Sequence, residues 1–438
     1  MAMETKEIRR RIASLARMPL KDLRGKDFLR TWDRSIGELE GILEVARLLK
    51  EIRVRGLSAR LWDSGLAVSQ FRDNSTRTRF SFASACNLLG LAVQDLDEGK
   101  SQIAHGETVR ETATMISFMA DVIGIRDDMY IGKGHEYMES VSEAVSEACR
   151  EKVLESRPTV INLQSDQDHP TQSMADLLHV AARFGGTRNL AGRRIAMSWA
   201  YSPSYGKPLS VPQGAIALFT RFGMNVTLAY PEGYSLMPDI VGMARDLAAV
   251  SGGSFRIAGS MTEAFEGADV VYPKSWAPFA VMQERTKLVE TGDLKALADL
   301  ERRCLENNAK YKEWQCTEAM MKRSAEALYL HCLPADITGV SCGRGEVSAD
   351  VFDRFRVPLY AQAGWKPYVI AAMILASRVR DPAEALSGML DRSTPRGCWV
   401  PPGEAASPRT EAKTAGPAAK KAVARRKKAP PKTRRRTR

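Results

Sequence analysis

The stretch that decides the fold lies at residues 65–90 and reads GLAVSQFRDNSTRTRFSFASACNLLG. Its first part, residues 65–71, is a short apolar run typical of a buried strand. After Ser75, apolar residues recur at the helical spacing i, i+3, i+4 and i+7 until Gly90, a residue that commonly ends helices. The sequence therefore predicts a strand followed by a helix, with the hydroxyl-rich segment at Ser75 on the junction.

The same alternation continues in the second half of the chain. We predict strands at residues 195–199, 224–230, 268–272 and 328–333, and helices at residues 212–222 and 239–250. Strands that alternate with helices at this spacing are typical of a parallel sheet covered on both faces. The predicted fold class is α/β, with two doubly wound parallel-sheet domains.

A break at Phe184-Gly-Gly-Thr187 marks the predicted boundary between the two domains. The predicted parts are an N-terminal arm at 1–25, a first domain at 26–184 that includes a C-terminal helix at 368–392, a second domain at 185–367, and a disordered basic tail at 393–438.

The charge is concentrated in the tail. The 438 residues are 44% hydrophobic and 26% charged, which excludes a wholly disordered, fibrous or disulfide-scaffold protein. Of the net charge of +12, residues 401–438 carry +11. Such a tail predicts nonspecific contact with nucleic-acid phosphates, and it has no aromatic residue on which bases could stack.

The remaining composition predicts a cytoplasmic protein. The apolar run at 369–376 is far too short to span a bilayer, and the N-terminus does not resemble a signal peptide. The seven cysteines include no C-x-x-C pair and fit reduced thiols. We expect no membrane contact, no metal site and no cofactor.

The segment Ser75-Thr-Arg-Thr-Arg79 can form an anion site, because hydroxyls, guanidinium groups and free backbone N–H groups meet at a helix N-terminus. The alternative is a helix cap with solvent-facing arginines. Three further motifs are Asp168-His-Pro-Thr-Gln172, His331-Cys-Leu-Pro334 and Gly124-Ile-Arg-Asp127. Each also has an ordinary interpretation: His169 as a turn cap, Cys332 as a buried hydrophobe, and Arg126 as the partner of a surface carboxylate.

The motifs Ser75-Thr-Arg-Thr-Arg79, His169-Pro-Thr-Gln172 and His331-Cys-Leu-Pro334 follow one another along the chain in the order found in the aspartate/ornithine carbamoyltransferase family, which the chain resembles over about Lys26 to Ser377. Residues 199–209 and 269–276 resemble the acetylornithine-type enzymes, and the chain is similar to the knotted, YgeW-like branch. The resemblance implies a carbamoyl phosphate domain followed by a second-substrate domain with a knot. It also implies a homotrimer with active sites at subunit interfaces.

The resemblance also implies roles for individual residues. The phosphate would be held by Ser75, Thr76, Arg77 and Thr78, and by Gln102 from the neighbouring subunit. Arg126 would bind the phosphate and the carbonyl oxygen, and His169 would donate to that oxygen. Gln172 and the backbone carbonyls of Cys332 and Leu333 would accept from the carbamoyl NH₂ group. Within this set Arg77, Arg126, His169 and Gln172 are the predicted catalytic residues.

The second substrate is less well marked. The Asp-x-x-x-Ser-Met-Gly run of ornithine-type enzymes is missing, Ala335 follows Pro334, and Lys366 stands where the family has arginine. These departures argue against both aspartate and ornithine. The predicted second-substrate residues are Trp199, Lys207, Asp269, Lys274, Trp276 and Lys366.

These lysines and tryptophans suggest a carboxylate-bearing substrate beside an apolar wall; alternatively the lysines are solvated and the tryptophans belong to the core. The predicted function is carbamoyl transfer between carbamoyl phosphate and a small amino or ureido acid, in nitrogen or purine catabolism. The alternatives are a carbamoyl phosphate-binding paralogue without turnover, and a nucleic-acid accessory protein that acts through its tail.

Overall fold

The computed structural model describes residues 3–97 and 106–397. In this part of the chain the strands form two parallel sheets, which confirms the α/β prediction. The first sheet has the order β2-β1-β3-β4 and the second has the order β7-β6-β5-β8-β9. The strands are β1 Leu66–Phe71, β2 Ala92–Leu96, β3 Val122–Asp127, β4 Thr159–Ser165, β5 Arg194–Ser198, β6 Asn225–Ala229, β7 Ser254–Ala258, β8 Val270–Pro273 and β9 Leu328–Tyr329.

Helices cover both sheets. They are α1 Thr5–Leu15, α2 Ile36–Val54, α3 Thr76–Leu89, α4 Val109–Ser117, α5 Gly134–Arg150, α6 Pro170–Arg183, α7 Ser210–Arg221, α8 Pro238–Ser251, α9 Met261–Phe265, α10 Phe279–Thr291, α11 Leu294–Asn308, α12 Glu318–Met321, α13 Ala349–Ala363, α14 Lys366–Arg378 and α15 Pro382–Arg392. None of the helices in the described ranges is long and apolar enough to cross a membrane.

Four strands were not predicted from the sequence: β2, β3, β4 and β7. β2 and β7 lie at sheet edges and expose most of their side chains, so their polar residues hide the strand pattern. β3 and β4 are buried, and their motifs were interpreted without a strand being assigned. The strand predicted at 328–333 is also shorter than expected. Only Leu328 and Tyr329 pair with β8, and Leu333 takes a left-handed φ of 54° as the chain turns away from the sheet.

The first and last helices of the described residues pack with helices of the first domain. Residues 1–25, predicted to be an arm, include α1, which buries Ile8, Ile12 and Leu15 and contacts α2 and α15. Helix α14 returns from the second sheet and packs on α2, α3 and α6. This return places the first residue of α14, Lys366, close to the start of α3.

The strand order creates a crevice in each sheet. In the first sheet the chain order reverses between β1 and β3, and in the second it reverses between β5 and β8. Ligands of open parallel sheets bind at the carboxyl ends of strands at such switch points. Ser75 follows β1, Arg126 lies in β3 and Lys274 follows β8, so three predicted site residues lie at these two crevices.

Candidate active site

A cavity of about 350 Å³ lies where the carboxyl ends of the two sheets meet. Its lining includes most of the predicted site residues and none of its lining residues is an aspartate or glutamate. The lining residues are Asn74, Ser75, Thr76, Arg77, Thr78, Arg126, Gln164, His169, Gln172, Lys207, Pro208, Val211, Lys274, Cys332, Leu333, Pro334 and Lys366.

The start of α3 forms one end of the cavity. Ser75 has extended backbone geometry, and its Oγ accepts from the backbone N–H of Thr78 at 3.3 Å, so it caps the helix. The first N–H groups of a helix have no partner within the helix and carry the positive end of its dipole. The predicted helix cap is therefore present, and the same helix start lines the cavity.

Two arginines flank this helix start. The Arg77 guanidinium donates to the backbone carbonyl of Leu333, which links the first domain to the loop after β9. Arg126 pairs with Asp128 at 3.0 Å and with Asp73 at 3.5 Å while it also lines the cavity. Burial raises the pKa of the Asp128 carboxyl to about 7, and burial lowers the pKa of Arg77.

The start of α6 contributes His169 and Gln172. Pro170 occupies the first helical position, which its fixed φ favours, and it leaves His169 at the N-cap with only 3% of its surface exposed. Burial, followed by the charges of Lys366 and the two arginines, holds the pKa of His169 well below its usual value. The imidazole is therefore neutral. Gln172 donates to Asp176 at 2.7 Å, which leaves its carbonyl oxygen free to accept.

Lys366 lies among the predicted carbamoyl phosphate residues rather than with the second-substrate residues. Its Nζ is 2.9 Å from Thr78 Oγ1, 3.0 Å from His169 Nε2 and 3.4 Å from Gln172 Oε1. Burial, and next the charge of Arg126, lowers the pKa of Lys366 to about 7. This geometry groups Lys366 with residues predicted for carbamoyl phosphate, and its predicted role with the second substrate stays a prediction.

The other end of the cavity is formed by the second domain and contains Lys207. Its Nζ lies 2.6 Å from Asp336 and 3.3 Å from Glu346. Burial opposes the charge of this lysine, but the two carboxylates outweigh burial and raise its pKa. Glu346 also accepts from the backbone N–H groups of Ser275 and Asp336 and pairs with His331 at 3.2 Å. Lys207 therefore stays charged, and the two carboxylates balance its charge.

Lys274 differs from Lys207. Its Nζ donates to the backbone carbonyl of Ser275 at 2.5 Å, and only 6% of the residue is exposed. No carboxylate lies within ion-pair distance of it in the described part of the chain. Burial lowers the pKa of Lys274, so a ligand carboxylate would strengthen its charge.

Three predicted second-substrate residues lie away from the cavity. Trp199 and Trp276 are fully buried, and their indole N–H groups donate to the backbone carbonyls of Trp276 and Tyr234 at 2.9 Å each. Trp199 also packs 4.6 Å from the ring of Tyr234. Both tryptophans thus belong to the core, because the core satisfies their polar ends.

Asp269 lies before β8, at the amino end of the strand and so at the edge opposite the cavity. It pairs with Arg193 at 2.9 Å and accepts from the backbone N–H of Arg194. It does not line the cavity, and its predicted contact with a second substrate stays a prediction. Gln102 lies outside the described residues, as does the tail beyond residue 397.

Several residues of the site were missed. Gln164 lies near the carboxyl end of β4, lines the cavity and donates to Ser210 at 3.0 Å. Asp176 orients Gln172 and also accepts from Gln362 and from Tyr272. An acid four residues after a glutamine on one helix face was a usable signal for Asp176. Glu346 carried no such local signal. Among residues 3–97 and 106–397, no three His, Cys, Asp or Glu side chains are grouped as metal ligands.

Comparisons with known proteins agree with this arrangement. The family model described as "Aspartate/ornithine carbamoyltransferase, carbamoyl-P binding domain" matches residues 26–182, and the one described as the family's "Asp/Orn binding domain" matches residues 209–377. The chain is 59% identical over 376 residues to YgeW of Escherichia coli (strain K12), a provisionally named carbamoyltransferase. That match covers 85% of this chain and 95% of YgeW.

More distant relatives are also similar along most of their length. The catabolic ornithine carbamoyltransferase of Treponema denticola is 27% identical, with 82% of this chain and 96% of that protein covered. A crystal structure of N-acetyl-L-ornithine transcarbamylase superposes with a TM-score of 0.65 at 25% identity, over 80% of this chain and 98% of that one. The ornithine carbamoyltransferase of Pyrococcus furiosus gives a TM-score of 0.63 at 26% identity, over 81% and 97% of the two chains.

Proposed function

The chain belongs to the aspartate/ornithine carbamoyltransferase family and is a carbamoyltransferase, and from this premise we propose that its cavity moves a carbamoyl group between carbamoyl phosphate and a monocarboxylic ureido or amino acid. The observation that carries the proposal is the charge of the cavity. Five cationic side chains line it, and no lining residue is acidic. A cavity of this kind favours anionic ligands.

The first domain suits carbamoyl phosphate. Its phosphate would lie at the start of α3, on the backbone N–H groups and the hydroxyls of Ser75, Thr76 and Thr78. Arg77 and Arg126 would contact the phosphate oxygens from either side. Gln172 and the backbone carbonyls of Cys332 and Leu333 would accept from the carbamoyl NH₂ group, a donor that needs such oxygens.

The transfer is an attack of nitrogen on the carbonyl carbon. A new C–N bond forms, the bond from that carbon to the bridging oxygen breaks, and phosphate leaves with the electron pair. The proton of the attacking nitrogen passes to the departing phosphate. Arg77 and Arg126 stabilise the negative charge that gathers on this group, and positioning supplies much of the remaining rate. The same groups would serve the reverse reaction, in which phosphate attacks a ureido carbonyl.

Charge balance indicates the class of the second substrate. Arg126 and Lys207 already have carboxylate partners, which leaves Arg77, Lys274 and Lys366 without one in the described part of the chain. Carbamoyl phosphate is a dianion and would balance two of these cations. The third, Lys274, would then bind one carboxylate of the second substrate. Since no lining residue is acidic, a free ammonium group on that substrate would lack a partner, which favours a ureido acid over a diamino acid.

The test is calorimetric binding of carbamoyl phosphate to the wild type and to Arg77→Met. The R77M variant lacks the charge-assisted hydrogen bonds that Arg77 would make to the phosphate. We therefore expect it to bind carbamoyl phosphate about 100-fold more weakly than the wild type. Arg79→Met is the matched control. Arg79 lies two residues further along α3, pairs with Asp95 and does not line the cavity, so R79M should bind like the wild type. Equal affinities for R77M and R79M would exclude this phosphate site.

The acceptor class is tested separately by turnover. Monocarboxylic ureido acids with phosphate, and the corresponding amines with carbamoyl phosphate, are compared with ornithine and aspartate. The proposal expects the best rate with a monocarboxylic ureido acid or its amine product. Ornithine or aspartate as the best substrate would overturn the acceptor class. Binding of carbamoyl phosphate without turnover across the panel would instead favour the paralogue that binds but does not react.

We also propose that the protein is a homotrimer with a knotted second domain, as the family resemblance implies. Large apolar side chains on and next to α3 and α4 support a subunit interface, because they are more than half exposed in the single chain: Phe80, Met115, Phe118 and Met119. Analytical ultracentrifugation should find three chains per particle.

A further inference from the structure

We propose that Asp176 is a positioning residue that makes the cavity select carbamoyl phosphate over acyl phosphates of the same charge and size, by holding the amide oxygen of Gln172 toward the carbamoyl NH₂ group. The inference deepens the proposed function and rests on it. Acetyl phosphate is the probe of this selectivity, because it carries a methyl group, which donates no hydrogen bond, where carbamoyl phosphate carries NH₂.

The contact between Asp176 and Gln172 fixes which end of the amide faces the cavity. Gln172 Nε2 donates to Asp176 Oδ1 at 2.7 Å, one turn further along α6. Burial raises the pKa of Asp176 to about 6, so at pH 8 the side chain is a carboxylate, which accepts hydrogen bonds and donates none. The amide NH₂ must therefore face Asp176, which leaves the amide oxygen for the cavity. Lys366 Nζ also approaches that oxygen, but its distance of 3.4 Å makes it the weaker restraint.

Asp176 is itself held by two residues of the second domain. Gln362 Nε2 on α13 donates to Asp176 Oδ1 at 2.5 Å, and Tyr272 Oη on β8 donates to Asp176 Oδ2 at 3.0 Å. These three residues are each at most 1% exposed, so little water reaches them. The carboxylate cannot turn away from Gln172 without leaving buried donors unpaired, which is costly.

The orientation of Gln362 is fixed in turn by the backbone. Its Oε1 accepts from the backbone N–H of His331 at 3.4 Å, so its NH₂ points to Asp176. His331 begins the segment that carries the second-domain carbonyls proposed to accept from the same carbamoyl NH₂ group. Asp176 and Gln362 therefore connect the acceptor of the first domain with those of the second.

The proposed surroundings of the NH₂ group consist of acceptors alone. The NH₂ of carbamoyl phosphate would donate to the Gln172 amide oxygen and to the backbone carbonyls, whereas a methyl group would leave these oxygens unpaired in a buried place. If the Gln172 amide were turned around, its own NH₂ would meet the carbamoyl NH₂, and the preference would be lost. The phosphate contacts are the same for both ligands and do not contribute to it.

The experiment is calorimetric binding of carbamoyl phosphate and of acetyl phosphate, at pH 8, to the wild type, Asp176→Leu and Asp176→Asn. We expect the wild type to bind carbamoyl phosphate at least about tenfold more tightly than acetyl phosphate. D176L offers Gln172 no acceptor, so the ratio of the two affinities should fall by about tenfold, while acetyl phosphate binds as before. D176N keeps an acceptor oxygen that Gln362 holds in place, and it should retain the ratio.

A second set of variants keeps the test decisive if D176L does not fold. Gln362→Met leaves the carboxylate of Asp176 unchanged, so Q362M should retain the ratio. In the double variant D176N/Q362M, the introduced amide lacks the contact that fixed it and can turn its NH₂ toward Gln172. The double variant should therefore lose the ratio, although each single variant keeps it.

Asp168→Asn is the matched control, because Asp168 is a second buried aspartate near the start of α6 that accepts from Thr31 and does not contact Gln172. D168N should change both affinities by the same factor. The inference is overturned if the wild type binds both phosphates equally, or if D176L weakens both by the same factor, as a merely structural role would. Retention of the ratio in D176L or in D176N/Q362M would also overturn it. An absence of binding of either phosphate to the wild type would instead overturn the proposed function.

Discussion

The two halves of the cavity share one topology but differ in how Arg77 and Lys366, in one half, and Lys207, in the other, are paired. Each half lies at the switch point of a parallel sheet. In the first half, Arg77 and Lys366 have no carboxylate within ion-pair distance in the described residues, and their charges await a ligand. In the second half, Lys207 is already neutralised by Asp336 and Glu346. The first half therefore has cations available to an anionic ligand, as the proposed function requires. In the second half Lys207 is paired within the protein, and Lys274 has no carboxylate partner among the described residues.

This difference separates affinity from stability. Cations without partners weaken the empty protein, because buried charge is costly, and they gain most when a ligand arrives. Cations paired within the protein contribute to the folded state before any ligand binds. Changes in the second half should therefore alter the free energy of unfolding, and changes in the first half should alter ligand binding.

The largest expected effect is the loss of stability caused by replacing Glu346. This carboxylate is fully buried, and although burial opposes its charge, Lys207 and His331 hold its pKa well below its usual value. Glu346→Gln removes a charged partner of the buried Lys207 and an acceptor beside His331, and it should lower the free energy of unfolding by about 3–5 kcal/mol. Urea unfolding measures this loss.

The matched control for that variant is Asp336→Asn, which removes the other partner of Lys207 but at a partly exposed position. It should cost much less than E346Q. Carbamoyl phosphate affinity should be unchanged in folded E346Q. Equal stability of E346Q and the wild type would remove the distinction between the two halves.

The next effect is on the pH dependence of stability in the ligand-free protein. The pKa of Lys366 is about 7 in the folded state and near 10.5 when unfolded, so between these values the unfolded chain binds more protons. Stability should therefore rise with pH, by about 2 kcal/mol from pH 7 to 9. Urea unfolding of Lys366→Met at both pH values should lack this rise.

Lys207 supplies the comparison for that slope. Its folded pKa is raised, so it stays charged in both states between pH 7 and 9 and contributes stability that is lost only at higher pH. Lys207→Met should be less stable than the wild type, but its stability should still rise between those pH values. A rise of the same size in K366M would show that other groups cause it.

The smallest effect is expected at Asp269. Its pair with Arg193 is partly exposed, and Asn at this position can still accept from the backbone N–H of Arg194. Asp269→Asn should cost about 0.5 kcal/mol of stability. Turnover and carbamoyl phosphate affinity should not change. A marked loss of turnover in D269N would return this residue to the second-substrate site.

The first half of the site could be predicted because its signals are local. A strand, a capped helix start and the group Ser75 to Thr78 follow one another within a few residues, and so do His169, Pro170 and Gln172 at the start of α6. Backbone geometry alone places such groups at a strand's carboxyl end. The second half gathers residues at 207, 274, 336 and 346, and no local pattern links them.

The sequence by itself determined the α/β class, the strand-to-helix junction at Ser75 and the family. Tertiary structure decided which lysine is free, since the charge of a lysine depends on carboxylates brought near it by folding, as Glu346 is brought to Lys207. It also decided that Trp199 and Trp276 are core residues, because their indole N–H groups find carbonyl partners only in the packed chain. The sequence gives the type of each residue, but its charge and burial depend on neighbours that are distant in sequence and come close only in the folded chain.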